Sequence, residues 1–298
     1  MPGRRSLLVI VGIVAVLSTG CSRIEIAYRY LGWLVGHYTE RYVDLTGEQR
    51  GLITREVDDL KRWHCHDSIP GFIQILGDIQ SDVRSALPSA ERVRWYAEVF
   101  ESEVGYLVEQ AHPGIARLMA SLTDAQVEEL LSSLEERNRE FVERLEKTSV
   151  EELAKEYRVS RINDLERWLG DLSDGQLAIV TNWSLAFQPL GYEGLAVRQA
   201  WQEELAELLE DRRQPMEQFI PRVGAFLKKH RDDPSGRYRD RLSSNKVETV
   251  VMVTSVLALA DSVQRTHMDR EIGALRNDLQ SLVCLPGSTP PLQAMKSP

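Results

Sequence analysis

"LTDAQVEELLSSLEERNREFVERLEK", Leu122 to Lys147, decides the fold class. Val127, Leu130, Leu131, Leu134, Phe141, Val142 and Leu145 recur at helical period and form one apolar stripe, with the charges opposite. Glu143 and Lys147, like Glu151 and Lys155, sit four residues apart, a spacing that supports an exposed helix face. Asn138 falls on the stripe and reads as a polar register-setter. Outward from this stretch almost every window carries the same period. Turn chemistry punctuates it at "IPG" (Ile69), "LPS" (Leu87), "HPG" (His112), "QPLGYEG" (Gln188), "RRQP" (Arg212) and "DDPSG" (Asp232). "TVVMVTSVLALA" (Thr249 to Ala260) is β-branched, but its flanks are helical. It is predicted to form one long, buried helix continuing through Val263, Ile272, Leu275, Leu279 and Leu282. The expectation is an all-α, elongated multi-helix bundle without a sheet.

The start of the quoted stretch is one of three related copies: "DLTGEQ" from Asp44, "SLTDAQ" from Ser121 and "DLSDGQ" from Asp171. Thr46, Thr123 and Ser173 are N-cap residue types, and Gln49, Gln126 and Gln176 follow three residues later. That is the capping-box pattern: the hydroxyl accepts from the N3 amide while the glutamine reaches back to the cap amide. Each cap is worth about 1 kcal/mol, enough to set where a helix begins.

Bulk properties bound the function. The chain has 298 residues, 43% hydrophobic and 27% charged, which suits a folded body with an ample core. Its net charge of −9 and the lack of a basic block disfavour nucleic acid as a partner. Arg4 and Arg5 precede the apolar run Leu7 to Leu17 and then "STGC", ending at Cys21. The run is shorter than the roughly 20 residues a membrane span needs and suits a signal peptide over residues 1–20. The segment 285–298, rich in Pro, Gly and Ser, reads as a disordered tail after a helical domain over 21–284.

Chemistry-bearing residues are few. "WHCHD" (Trp63 to Asp67) gathers two histidines, a cysteine and an aspartate, but His64 and His66 would point apart on a helix, where a metal pair needs i,i+4 spacing. It reads as a helix end, and no metal or other cofactor is expected. No nucleophile elbow, phosphate loop or zinc-protease motif occurs, so binding is expected rather than catalysis. Cys65 and Cys284 are the two cysteines besides Cys21. They are either a disulfide joining the ends of the helical body or two separate thiols. "YRYLGWLVGHYTERY" places Tyr28, Tyr30, Trp33, Tyr38 and Tyr42 shortly after Cys21. These rings are expected to pack into the body; the alternative is that the segment lies on a lipid surface.

Three resemblances add to this reading. "STGC" resembles the lipobox of bacterial lipoproteins, which implies cleavage before Cys21 and its acylation, although Ser18 stands where Leu is preferred. Ser22 after the cysteine implies, by similarity to enterobacterial sorting, the periplasmic face of the outer membrane. The Leu-Thr-x-x-Gln copies resemble those of the Spy and CpxP periplasmic stress proteins, small helical dimers that cradle unfolded clients. Finally "SRIEIAYRYLGWL", "YVDLTGEQ", "ERNREF", "RWLGDLSDGQ" and "QRTHM" together look like an uncharacterised family of proteobacterial helical lipoproteins. The joint expectation is a lipid-anchored interaction or assembly factor with an envelope protein as partner, or a membrane-tethered chaperone. Neither the partner nor the oligomeric state is written in the sequence.

Overall fold

The computed structural model describes residues 23–232 and 236–284. The signal peptide, Cys21 and the tail over 285–298 therefore lie outside the described residues. Within them the protein is all-α, with no strand. In chain order the helices are α1 (Arg23–Arg29), α2 (Leu31–Thr39), α3 (Gly47–Trp63), α4 (Ile69–Ser85), α5 (Ala90–Ser121) and α6 (Asp124–Lys147). They continue as α7 (Val150–Leu169), α8 (Asp174–Ala186), α9 (Gly191–Glu210), α10 (Met216–Asp232), α11 (Gly236–Ala258) and α12 (Ser262–Leu282).

Two hydrophobic cores organise them. The first joins Ile53 and Val57 of α3, Ala116 and Met119 of α5, Leu205 and Leu209 of α9, and Phe219 and Val223 of α10. The second joins Leu76 and Val83 of α4, Leu165 and Leu169 of α7, Val180 and Trp183 of α8, Val256 of α11 and Ile272 of α12. α5, with 32 residues and so about 48 Å long, reaches both: its far end enters the first core, and Val93 near its start packs against the second.

Two proline-marked breaks are not breaks. At "HPG" the helix runs on through Pro113, which has no N–H to offer the Glu109 carbonyl. The neighbouring His112 ring supplies the missing contact, with Nδ1 against that same oxygen. At "IPG" α3 passes into α4 through one turn of π-helix, His64–Ser68. There Ile69 N–H donates to the His64 carbonyl, five residues back, and the widened turn accommodates Pro70. "WHCHD" is thus a bulge inside a long helical rod, not a helix end.

The opposite correction applies near the C-terminus. The helix predicted from Thr249 through Leu282 is two helices, bent by 119° between Ala258 and Ser262. Asp261 caps the second, its carboxylate accepting from Gln264 N–H at 2.8 Å.

Candidate functional site

Helices begin one residue after Thr46, Thr123 and Ser173, and each copy forms a full capping box with Gln49, Gln126 and Gln176. The glutamines do a second thing. Gln49 Nε2 donates to Gln126 Oε1 at 3.0 Å and Gln126 Nε2 returns a bond to Gln49 Oε1 at 2.8 Å. Each amide donates its other hydrogen across the pair: Gln49 to the Ser121 carbonyl, Gln126 to the Asp44 carbonyl. With the cap N–H groups of Thr46 and Thr123 filling the oxygens, both side chains are saturated, and both are buried. This clasp holds two helix starts against each other at the edge of the first core.

The second core has its own clasp. Gln176 pairs with Gln264, and their outer hydrogens go to the carbonyls of Val256 and Asp171. The clasp lies beside Gly170, whose φ of 75° is the left-handed conformation that favours glycine. The His267 ring packs there, its Nε2 at 3.3 Å from the Arg167 carbonyl, while Arg270 donates to its Nδ1. "RWLGDLSDGQ" and "QRTHM", distant in sequence, are therefore one cluster in space.

A buried guanidinium supports the first clasp. Arg212, 6% exposed, donates to the carbonyls of Leu122 and Leu209 and pairs with Asp124. It ties the α5–α6 turn to the end of α9. Only the "RRQP" turn marked this position in the sequence, and nothing there distinguished Arg212 from Arg213, which stays exposed.

Cys65 and Cys284 form a disulfide, with Cα atoms 5.3 Å apart across 219 residues of sequence. The bond fastens the end of α12 to the π turn, and Cys284 N–H also donates to the Cys65 carbonyl. His66 joins the two cysteines in the one group among the described residues whose donor atoms lie within 4.8 Å of one another. The S–S bond engages both sulfurs, and a bonded pair offers no thiolate to a metal. On the same turn His64 is half-buried beside Tyr28, whose O–H donates to the Lys61 carbonyl at 3.0 Å and lies 3.3 Å from His64 Nδ1. Burial lowers the His64 pKa, against a smaller upward pull from Glu103, and burial pushes Tyr28 up to about 12.

The N-terminal rings do not all pack into the body as expected. Tyr28 and the half-buried Tyr42, over whose ring Arg137 of α6 lies at 4.3 Å, are engaged with the body; Tyr30, Trp33 and Tyr38 are 52, 64 and 57% exposed. α2 instead turns Gly32 and Gly36 inward, and a Cβ on Gly32 would meet Thr54 Cα of α3 at 3.3 Å. A contact that close suits a residue without a side chain.

One concavity combines size with apolar lining. A half-open cleft of about 740 Å³ lies between the α6–α7 hairpin and α9, floored by Phe141, Leu145, Leu153, Tyr157, Phe187, Val197 and Trp201. Tyr157 and Phe187 are in ring contact, centroids 4.6 Å apart, and Arg198 lies over Phe141 at 4.7 Å. Arg144 and Glu156 form an ion pair at the lining, and Tyr238 of α11 completes it. Such a surface suits an apolar segment with a few polar contacts at its margin.

These features define an all-helical protein of two cores, each closed by a glutamine clasp, with a disulfide-fastened end. The chain belongs to the family of unknown function DUF6279, whose model matches residues 41–244. That span is narrower than the motif resemblance suggested: it holds Gln49, Gln126, Gln176 and Cys65 but neither Gln264 nor Cys284. Neither the curated proteins nor the solved structures give a match.

Proposed function

We propose that the protein is a lipoprotein acylated at Cys21, facing the periplasm from the outer membrane, that acts by binding an envelope protein rather than by catalysis. The cleft between α6–α7 and α9 carries the binding part of this reading. It is apolar, partly uncovered and large enough for several side chains of a partner. Three buried polar side chains, Gln176, Gln49 and Arg212, are engaged with backbone carbonyls at helix ends, and the two glutamines also with their partner glutamines, which is scaffold work. The lipobox resemblance supports the anchor, and a periplasmic address suits the Cys65–Cys284 bond.

Replacing Tyr238 by a photoreactive phenylalanine analogue in intact cells tests the reading. A discrete crosslinked envelope protein, absent when the same analogue replaces the exposed Val263 of α12, which does not line the cleft, is the expected result. Crosslinks from Val263 that match those from Tyr238 would remove the cleft from the proposal. The second reading, a tethered chaperone, draws on the same apolar floor and the Leu-Thr-x-x-Gln resemblance. It predicts a smear of many clients from Tyr238 and suppression of aggregation of an unfolded protein in vitro. Incorporation of a clickable palmitate analogue, lost in Cys21→Ala, tests the anchor separately.

A further inference from the structure

The first two helices are inside out. Ile26 and Tyr30, then Trp33, Leu34, Val35 and Tyr38, project away from the protein, each between 38 and 64% exposed. The fully buried positions of α2 are Gly32 and Gly36, and only Leu31 at its start lends a half-buried side chain to the first core. A helix packed for the sake of the core would do the reverse. Tyr30, Trp33 and Tyr38 make up half of the outward ridge, and Trp and Tyr are the residues favoured where hydrocarbon meets headgroups, because one end of the ring system is apolar and the other bonds to water or phosphate.

Charge and connectivity point to the same occupant. The carboxylates of this stretch are paired with arginines: Glu25 with Arg29 at 3.6 Å and Glu40 with Arg50 at 2.7 Å. With both carboxylates neutralised, the exposed Arg41 beside the ridge suits lipid phosphate although the chain as a whole is acidic. Five residues of chain lead from Cys21 to Ile26, and from Arg23 on they are helical, so the ridge begins within a turn or two of the acylation position.

We propose that this ridge is a lipid-seating surface, laying α1 and α2 flat in the headgroup layer of a phospholipid bilayer. It deepens the anchored reading above, on which its cellular role rests, by adding a second membrane contact beside the acyl chains. Acyl chains alone would leave the protein free to swivel. The ridge gives it one orientation, since α2 is fixed to α3 through Gly32 and α1 is fixed to the end of α3 and the π turn through Tyr28.

The test separates ridge from anchor. A full mature chain carrying Cys21→Ser, which cannot be acylated, is mixed with vesicles of phosphatidylethanolamine containing a minor share of phosphatidylglycerol and floated. It is expected to bind. Adding Tyr30→Ser, Trp33→Ser and Tyr38→Ser should weaken partitioning more than about tenfold at unchanged melting temperature, because three exposed rings leave the interface. Equal partitioning with and without the three serines overturns the proposal. So does a ridge-dependent dimer in sedimentation whose vesicle binding is unaffected by the serines, which would make the ridge a contact between copies of the chain. In the acylated protein, Trp33 fluorescence, taken as the difference from Trp33→Phe, should be quenched by shallowly brominated lipid. Acylation without that quenching leaves the anchor standing and sinks the ridge.

Discussion

Gln176 and Gln264, 88 residues apart, exchange two hydrogen bonds of 2.9 Å inside the second core. Gln176 is fully buried, and its outer amide hydrogen reaches the Val256 carbonyl. Gln176→Ala leaves the Gln264 side-chain oxygen and the Ser173 cap N–H without partners, frees one Gln264 amide hydrogen and takes a side-chain donor from the Val256 carbonyl. The expected loss is about 2–4 kcal/mol in denaturant unfolding, more than a cap alone. Gln176→Ala with Gln264→Ala should cost less than the sum of the single changes, a coupling of about 1–2 kcal/mol. Additive losses would mean that the pair is proximity without interaction.

Thr123→Ala isolates the cap from the clasp. It should cost about 1 kcal/mol and leave the Gln49–Gln126 pair in place. Arg212→Met removes the donor to two buried carbonyls, and about 2–4 kcal/mol should be lost in the same assay. Arg213→Met, on the exposed neighbour, should change stability by less than about 0.5 kcal/mol.

The local half of this architecture was readable. Thr46, Thr123 and Ser173 each announce a helix start, because a cap and its N3 partner are only three residues apart. The pairing of the glutamines was not, since nothing local says that Gln49 meets Gln126 across 77 residues. The fourth glutamine was hidden further: Asp261 replaces the hydroxyl residue, Ala260 stands where the other copies have Leu, and the apolar period runs straight across the bend. At Pro113 the opposite error arose. A proline rule sees the lost N–H but not the imidazole beside it. The ring-bearing N-terminal segment misled for a third reason: period and hydrophobicity identify an apolar face but not what covers it.

Acid should loosen the π turn in its own pH window. Burial lowers the His64 pKa below its ordinary value of 6.5, so the unfolded chain binds a proton that the folded chain resists. The stability this contributes is present above about pH 6.5 and is lost as pH falls toward the folded value. Asp124 and Asp269, held low by their arginine partners, lose theirs only below the ordinary carboxylate range, so the two windows separate. Melting temperatures of the protein and of His64→Gln, compared between pH 7.5 and pH 5, should show the slope flattening in the variant.

Gly32 and Gly36 differ although both face inward. A side chain at Gly32 collides with α3, so Gly32→Leu should lift α2, at a cost of about 1–3 kcal/mol, and speed hydrogen exchange over residues 31–39. No atom lies within 4 Å of a Cβ at Gly36, and Gly36→Ala should stabilise α2 by up to about 1 kcal/mol through helix propensity.

Reduction of the disulfide should release up to about 5 kcal/mol of chain-entropy stabilisation, an upper limit, and expose both thiols to alkylation. The bond also makes the chain between Cys65 and Cys284 a covalent ring. A single proteolytic cut anywhere inside it severs the backbone yet frees no fragment: both pieces remain joined through sulfur to the N-terminal arm. Separating the two pieces of a nicked molecule then needs a second cut or a reductant, so a break in the helical body and the loss of either piece are separate events.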